Sequence, residues 1–146
     1  MIKKIVLATD HAGFELKEYV KNMLSDKGIK IKDFGAYTYN AQDDYPDFIL
    51  PAAQYIADNN LVGIIFGGSG QGEAIAANRI KGIRSAVFYN GPDEIIRLSK
   101  LHNNANVLSI GARFVDKDRA EEIIDLWLST SFEERRHQRR IEKLDS

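Results

Sequence analysis

The stretch LVGIIFGGSGQGEAIAAN, residues 61–78, constrains the fold of this chain more than any other. Its first part is rich in Val and Ile, which is typical of a buried β-strand. A loop with four glycines in six residues follows, at positions 67, 68, 70 and 72, and a helix-forming stretch begins at Glu73. Because glycine lacks a Cβ, this backbone can fold closely around a ligand, and the amides of a first helical turn attract anions. The stretch therefore predicts a strand, an anion-binding loop and a helix.

This loop fits neither of the common nucleotide-binding patterns. A P-loop needs a Lys after its last glycine, and Gly68–Gly72 is one residue short of the dinucleotide spacing G-x-G-x-x-G. The loop instead carries the Ser69 hydroxyl and leads to the Glu73 carboxylate at the start of the helix. A base beside an anion-binding loop predicts proton abstraction next to a carbonyl. An acid in the first helical turn can equally serve only to complement the helix dipole.

Composition narrows the classes of protein that fit. With 146 residues, 44% hydrophobic and 28% charged, the chain is expected to form one domain, residues 1–146, with a full core. A net charge of -1 gives no general attraction to nucleic acid or membrane, so neither is an expected partner. The absence of cysteine excludes disulfides, thiolate zinc sites and a thiol nucleophile. The apolar run 5–8 is too short for a signal peptide or a spanning helix, and we expect a cytoplasmic location.

Strand and helix patterns alternate along the chain. Strands are predicted at 2–8, 29–34, 62–66, 84–89 and 107–110. Helices are predicted to begin at Phe14, Pro46, Glu73, Pro92 and Asp116, and a charged segment, 133–145, ends the chain. This alternation predicts a parallel sheet with helices on both faces, a doubly wound α/β fold. With a flavodoxin-like strand order, the loops after the first and third strands would meet at the switch point where such sheets bind ligands.

Two polar pairs lie in loops of this predicted fold. Asp10 and His11 follow the first strand, beside the glycine loop, where they could contact hydroxyls or phosphate of a ligand. Asp is also a good helix N-cap, so the alternative is a capping Asp10 with an incidental His11. His102 and Asn103 follow the fourth helix. A histidine titrates near neutral pH, which suits acid or base catalysis, although a loop histidine is often only exposed to solvent.

The only dense basic cluster lies near the end of the chain. If this segment is helical, Arg136 and Arg140 stand four residues apart on one face, where two guanidinium groups could hold one phosphate. Arg113, after the fifth strand, is a further candidate cation. The alternative is a solvated helix face balanced by nearby glutamates. The three histidines have no close pair in sequence, so no metal site is predicted.

Several short motifs occur in one order along nearly the whole chain. They are Asp10–Gly13 (DHAG), Tyr45–Asp47 (YPD), Gly67–Glu73 (GGSGQGE), Ala76–Asn78 (AAN), Gly82–Arg84 (GIR), His102–Asn103 (HN) and Arg136–Arg140 (RHQRR). Together they resemble the type B ribose-5-phosphate isomerases, in the family that also holds galactose-6-phosphate isomerase. Each motif alone is modest, but the ordered set is highly specific and favours the functional interpretation of each.

The resemblance implies a Rossmann-like fold with five parallel strands, working as a homodimer or a dimer of dimers with sites at the subunit boundary. It implies interconversion of ribose 5-phosphate and ribulose 5-phosphate, in the non-oxidative branch of the pentose phosphate pathway, without a metal or cofactor. His102 is implied to open the sugar ring. The implied substrate contacts are Asp10, His11, Gly68, Ser69, Gly70, Gln71, Gly72, Asn103, Arg113, Arg136 and Arg140.

One departure from part of that family concerns the base. Some members carry a Cys at the position of Gly67, and this chain has no thiol there. A second branch is similar to this chain, with Gly at that position and Glu at the position of Glu73. The resemblance therefore implies that Glu73 removes the C2 proton while Ser69 and the loop amides stabilise the enediolate. A carboxylate screened from water can have a raised pKa and act on a carbon acid.

Three other functions fit parts of the sequence. An isomerase of a six-carbon phosphosugar, such as allose 6-phosphate or galactose 6-phosphate, would need a larger pocket, which residues 39–45 and 90–91 are expected to set. A non-catalytic phosphosugar-binding module would require neither Glu73 nor His102. A flavodoxin-like electron carrier would bind a coloured cofactor.

Overall fold

The computed structural model describes residues 2–146, which alternate strands and helices as the sequence predicts. The strands are β1 (Lys4–Thr9), β2 (Lys30–Asp33), β3 (Val62–Gly67), β4 (Ser85–Phe88) and β5 (Val107–Gly111). The helices are α1 (Phe14–Asp26), α2 (Pro46–Asn59), α3 (Gln71–Asn78), α4 (Asp93–Leu101), α5 (Lys117–Ser129) and α6 (Arg135–Glu142), and a short 3-10 turn, His11–Gly13, precedes α1. The predicted α/β fold is confirmed, including a C-terminal helical tail.

All five strands run parallel in one sheet with the order β2-β1-β3-β5-β4. The first three strands have the flavodoxin-like order considered for the sequence, and the last two strands are exchanged relative to it. β5 is buried along its whole length, whereas in β4 only Phe88 is fully buried, so the exchange puts the more buried strand inside the sheet. The switch point between β1 and β3 is unaffected.

Helices cover both faces of the sheet. Right-handed crossovers place α1, α4 and α5 on one face and α2 and α3 on the other. Alternate residues of each inner strand point to opposite faces, so Ile64 and Phe66 of β3 join one core while Ile65 joins the other. This explains why the inner strands read as continuous apolar runs. Within residues 2–146, no helix is long and apolar enough to cross a membrane.

Candidate active site

The loop after β1 and the loop after β3 are packed directly against each other. Thr9 pairs with Phe66 in the sheet, and the Thr9 hydroxyl donates a hydrogen bond to the Phe66 carbonyl at 3.1 Å. A Cβ added at Gly13 would lie only 2.5 Å from the Cβ of Phe66, so glycine permits this close approach. The neighbourhood of Asp10-His11 and the glycine loop, expected from topology, is therefore present in the fold.

Glu73 lies in the first turn of α3, and its side chain points back over the end of β3. The residue is 5% exposed, and its carboxyl occupies the space into which a Cβ at Gly67 would project. Burial raises the pKa of Glu73 above its ordinary value; its own backbone N–H opposes this by donating to the carboxyl, while the nearby charge of Asp10 adds to it. A buried carboxyl with a raised pKa suits a group that must both remove and return a proton.

The glycine loop is held in one conformation by its own hydrogen bonds. Gly70 has φ of +78°, a conformation that favours glycine, and it precedes the first residue of α3. Its carbonyl accepts hydrogen bonds from the Ser109 hydroxyl at 2.6 Å and from the Ala74 N–H at 3.1 Å. The Ser69 hydroxyl accepts a hydrogen bond from the N–H of Gln71 at 3.2 Å. The loop amides are therefore pre-organised at the N-terminus of α3, as an oxyanion site requires.

Two side chains from other elements close over this loop. The Arg113 guanidinium lies against Gly68, where an added Cβ would approach its Cζ to 3.1 Å. The Arg113 N–H donates to the Gly68 carbonyl at 3.0 Å, which fixes the loop after β5 to the glycine loop. The Tyr45 ring lies against Gly72 in the same way, with 2.9 Å between an added Cβ and its Cζ. Glycines 68 and 72 therefore make room for a cation and an aromatic ring at the mouth of the loop.

Asp10 and His11 form a hydrogen-bonded group with Asp43. Asp10 is buried, and its Oδ1 accepts a hydrogen bond from the Ala12 N–H at 2.9 Å, so Asp10 does cap the 3-10 turn. His11 Nδ1 lies 2.6 Å from Asp43 Oδ1. Oxygen and nitrogen atoms of the three side chains lie within 4.8 Å of one another. Asp43 Oδ1 already accepts two hydrogen bonds from His11, and we assign the group to hydrogen bonding instead of to a cation.

The remaining predicted site residues lie at the other end of the sheet. Since α4 leads back from the carboxyl end of β4 to the amino end of β5, His102 and Asn103 are at the amino edge. The five residues of β5 then separate them from the glycine loop by roughly 15 Å, at about 3.3 Å per residue. A backbone hydrogen bond from Glu133 N–H to the Leu101 carbonyl, 3.1 Å long, fixes the segment before α6 to the end of α4.

The rings of His102 and His137 are stacked at this edge, with centroids 4.2 Å apart and planes 16° apart. A surface cavity of about 270 Å³ is lined by His102, Asn103, His137 and Arg140, together with Ile141 and Leu144. Arg136 and Arg140 are both exposed and lie one helical turn apart on α6. Burial and the nearby charges of His102, Arg136 and Arg140 lower the pKa of His137, while Glu133 opposes this.

The predicted site residues therefore fall into two groups within one chain. We call Asp10, His11, residues 67–73 and Arg113 the loop site, and His102, Asn103, His137, Arg136 and Arg140 the helix-end cluster. No individual role is predicted from the sequence for Asp43 or His137, and Tyr45 enters there only in the YPD motif and in the range expected to set the size of the pocket. Nothing in the polar loop sequence distinguishes Asp43 from its neighbour Asp44, and His137 shows only as part of a basic motif.

Comparison with known proteins identifies the family. A profile described as ribose/galactose isomerase matches residues 5–144. The chain belongs to this family. Ribose-5-phosphate isomerase B of Mycolicibacterium paratuberculosis is 42% identical over 143 residues, which cover 97% of this chain and 89% of that protein. The family resemblance inferred from the ordered motifs is thus confirmed.

Solved structures agree with this family assignment. A ribose 5-phosphate isomerase from Thermotoga maritima is 45% identical, with a TM-score of 0.91 over 97% of each chain. Ribose-5-phosphate isomerase B from Mycoplasma genitalium, solved with bound ribulose-5-phosphate, is 37% identical, with a TM-score of 0.91 over 97% of this chain and 93% of that one.

Proposed function

We propose that this protein is an aldose–ketose isomerase that interconverts D-ribose 5-phosphate and D-ribulose 5-phosphate. The observation that carries the proposal is the Glu73 carboxyl, buried over Gly67 at the start of a pre-organised glycine loop. That arrangement places a base close to a set of hydrogen-bond donors for an oxyanion. Proton transfer through an enediolate requires both groups. The family relatives named for this reaction support the same substrate.

The residues of the chain supply each step without hydride transfer. His102 donates a proton to the ring oxygen while the anomeric O1 hydroxyl releases its proton to water, and the furanose opens to the aldehyde. Glu73 takes the C2 proton, and the electron pair of that bond forms the C1–C2 double bond of the enediolate. The electrons of the C1 carbonyl bond move to O1, and the loop amides and Ser69 stabilise this negative oxygen. A proton then passes from O2 to O1, and Glu73 returns its proton to C1 as the C2–O2 bond becomes the carbonyl of the ketose. Glu73 returns the proton that it takes, and the proton that His102 donates is replaced from water by the one that the anomeric hydroxyl releases. The overall reaction therefore consumes no acid, oxidant or reductant, and we propose that it needs no metal or cofactor.

The separation of the two groups supports a homodimer. Roughly 15 Å of sheet lies between Glu73 and His102 in one chain, which is too far for both to act on one five-carbon sugar. A second copy related by a twofold axis could bring its helix-end cluster to the loop site of the first, and the reverse contact would complete the other site. In this arrangement Arg113 and His11 from one subunit and Arg136 and Arg140 from the other would bind the phosphate. The cytoplasmic location and the single domain, residues 1–146, stay predictions beside this proposal.

The direct test is the rate of ketose formation from ribose 5-phosphate by the wild-type protein and by Glu73→Gln, with EDTA present. We expect turnover by the wild type and a loss of at least about 10²-fold in kcat for the variant, the usual scale for a general base. Glutamine keeps the shape of Glu73, so binding of the substrate should survive. Equal rates for the two proteins would contradict the role of Glu73, and a wild type that EDTA inactivates would contradict the metal-free reaction.

The second candidate is isomerisation of a six-carbon phosphosugar, because the description of the matching family names galactose as well as ribose. Tyr45 against Gly72 narrows the mouth of the loop, and allose 6-phosphate and galactose 6-phosphate should be assayed in parallel. A higher kcat/KM for a six-carbon sugar would keep the mechanism and change the substrate. Binding of all three sugars without turnover of any would instead indicate a phosphosugar-binding module.

A further inference from the structure

Asp43 is a mostly covered carboxylate in the loop between β2 and α2. Its side chain is 9% exposed, whereas the adjacent Asp44 is exposed to solvent. The Asp43 N–H donates to the Asn40 carbonyl at 3.1 Å, which holds this turn of the loop in place. Within residues 2–146, Asp43 Oδ2 has no hydrogen-bond partner although it is buried. Burying a carboxylate with one oxygen unpaired is unfavourable, so a favourable interaction must hold Asp43 at this position.

That interaction is with His11. Asp43 Oδ1 accepts a hydrogen bond from the His11 backbone N–H at 3.0 Å and lies 2.6 Å from His11 Nδ1. The Tyr39 ring packs edge-on against the imidazole, with centroids 6.1 Å apart and planes at 86°. A proton on Nδ1 is thereby held by Asp43, and the ring orientation is fixed from two sides. The nitrogen left for a ligand is Nε2, on a side chain that is 29% exposed.

Charged groups on three elements act on this imidazole. The hydrogen bond to Asp43 raises the pKa of His11, partial burial lowers it, and the charges of Asp10 and Asp43 raise it further, while Arg113 opposes them. With Nδ1–H donating to Asp43, the protonated ring presents Nε2–H as a second donor. His11 and Arg113 then form two positive groups that repel each other unless an anion lies between them.

We propose that Asp43 is a positioning residue that holds His11 as an imidazolium whose Nε2–H binds the phosphate group of the substrate. This role rests on the proposed phosphosugar function but concerns the binding step alone. Asp43 does not touch the reacting carbons, because it acts only through His11.

Asp43→Asn and Asp44→Asn form a matched pair, since each removes one negative charge from adjacent residues of one loop. In Asp43→Asn we expect KM for ribose 5-phosphate to rise about tenfold at neutral pH, the scale of a lost charge-assisted hydrogen bond, with kcat changed by less than about twofold. The difference from the wild type should shrink as the pH falls, because the variant's His11 then becomes protonated without Asp43. Asp44→Asn should keep the wild-type KM at every pH.

The imidazole resonances test the same inference without turnover. The chain has three histidines, so NMR titration can follow each ring, and His11→Asn assigns the signal of His11. We expect a lower pKa for His11 in Asp43→Asn than in the wild type, and no change in Asp44→Asn. Inorganic phosphate, used as the probe, should shift the His11 signal in the wild type at lower concentration than in Asp43→Asn.

Several outcomes would overturn the role of Asp43. One is an unchanged His11 pKa in Asp43→Asn, and another is an equal rise in KM for Asp44→Asn. If Asp43→Asn does not fold, the wild type alone decides: the His11 pKa must be higher in the folded protein than in the same chain unfolded in urea, and an equal or lower value contradicts the proposal. A wild type that binds phosphate at His11 but turns over no sugar would refute the proposed enzyme and leave the role of Asp43 standing.

Discussion

The loop site and the helix-end cluster are built in different ways. The loop site rests on the ends of three adjacent inner strands, and its backbone is fixed by sheet hydrogen bonds and by glycines that permit close approach. The helix-end cluster consists of side chains that directly follow α4 or lie on α6, most of them exposed and joined mainly by the His102–His137 stack. The backbone of the loop site is fixed within one chain, whereas the exposed helix ends would act, in the proposed homodimer, only when a second subunit covers them.

The largest effect should come from mixing two inactive variants, one from each region. Glu73→Gln leaves the helix-end cluster intact, and His102→Asn leaves the loop site intact. If sites lie at the subunit boundary, random pairing gives mixed dimers in half of the population, each with one intact site, so the mixture should recover about a quarter of wild-type activity. Each variant alone should retain at most about 1%.

Recovery requires subunit exchange, so the variants should be mixed after mild dissociation and compared with each protein treated alone. A mixture that gives no more than the sum of its parts, although exchange is shown by a tagged subunit, would place both groups in one chain. That result would contradict the assignment of the loop site and the helix-end cluster of one active site to different subunits.

The next largest effect should follow from adding one methyl group to the loop site. Gly67→Ala would place its Cβ on the Glu73 carboxyl, which must then move. A displacement of about 1 Å in a catalytic group can cost about 10²-fold in kcat, and we expect a loss of that size without unfolding. Steady-state kinetics measures kcat, and circular dichroism checks the fold.

A double-mutant cycle isolates the overlap itself. The free energy of unfolding should fall in Gly67→Ala but change little when the same methyl is added to Glu73→Ala, because the space is then empty. If Gly67→Ala lowered the free energy of unfolding equally in both backgrounds, the added methyl would clash with the strand and not with the Glu73 carboxyl. In this chain a side chain at position 67 and the carboxyl of Glu73 would compete for one volume, which agrees with the pattern that the resemblance implies.

The difference between the two regions also explains what the sequence could reveal. The loop site follows from local patterns, because β3, its glycines and Glu73 are contiguous in the chain and the topology of parallel sheets brings Asp10 to them. The stack of His102 on His137 depends on how α6 packs after an irregular segment, and no periodicity encodes that contact. The order of β4 and β5 could not be predicted for a similar reason, because both have strand-like patterns and only their packing decides which one lies inside the sheet.

A smaller effect should come from the stack within the helix-end cluster. His137→Ala removes the ring that lies on His102, and we expect kcat to fall several-fold, within the range of about 2- to 10-fold that a ring stack of about 0.5–1.5 kcal/mol gives. His137→Phe keeps a flat ring and should stay close to the wild type. If Phe is as poor as Ala, the ionisable nitrogen and not the stack is what His102 needs.

The smallest effects should be on stability, and they should have opposite pH dependence in the two regions. Glu73 has a pKa raised by folding, so its contribution to stability is present at low pH and is lost as the pH rises through the folded value. Glu73→Gln has no such loss and should melt at a higher temperature than the wild type at neutral pH, with the difference vanishing in acid.

His137 has a pKa lowered by folding, so the unfolded chain binds its proton first and stability falls as the pH drops through about 6.5. His137→Phe should therefore resist acid better than the wild type and show no advantage at pH 8. Thermal melts of the wild type and both variants across this range measure the two trends together. A carboxyl that folding makes harder to ionise and an imidazole that folding makes harder to protonate must respond to pH in opposite directions. If both variants gained stability at the same end of the pH range, one of the two assigned environments would therefore be wrong.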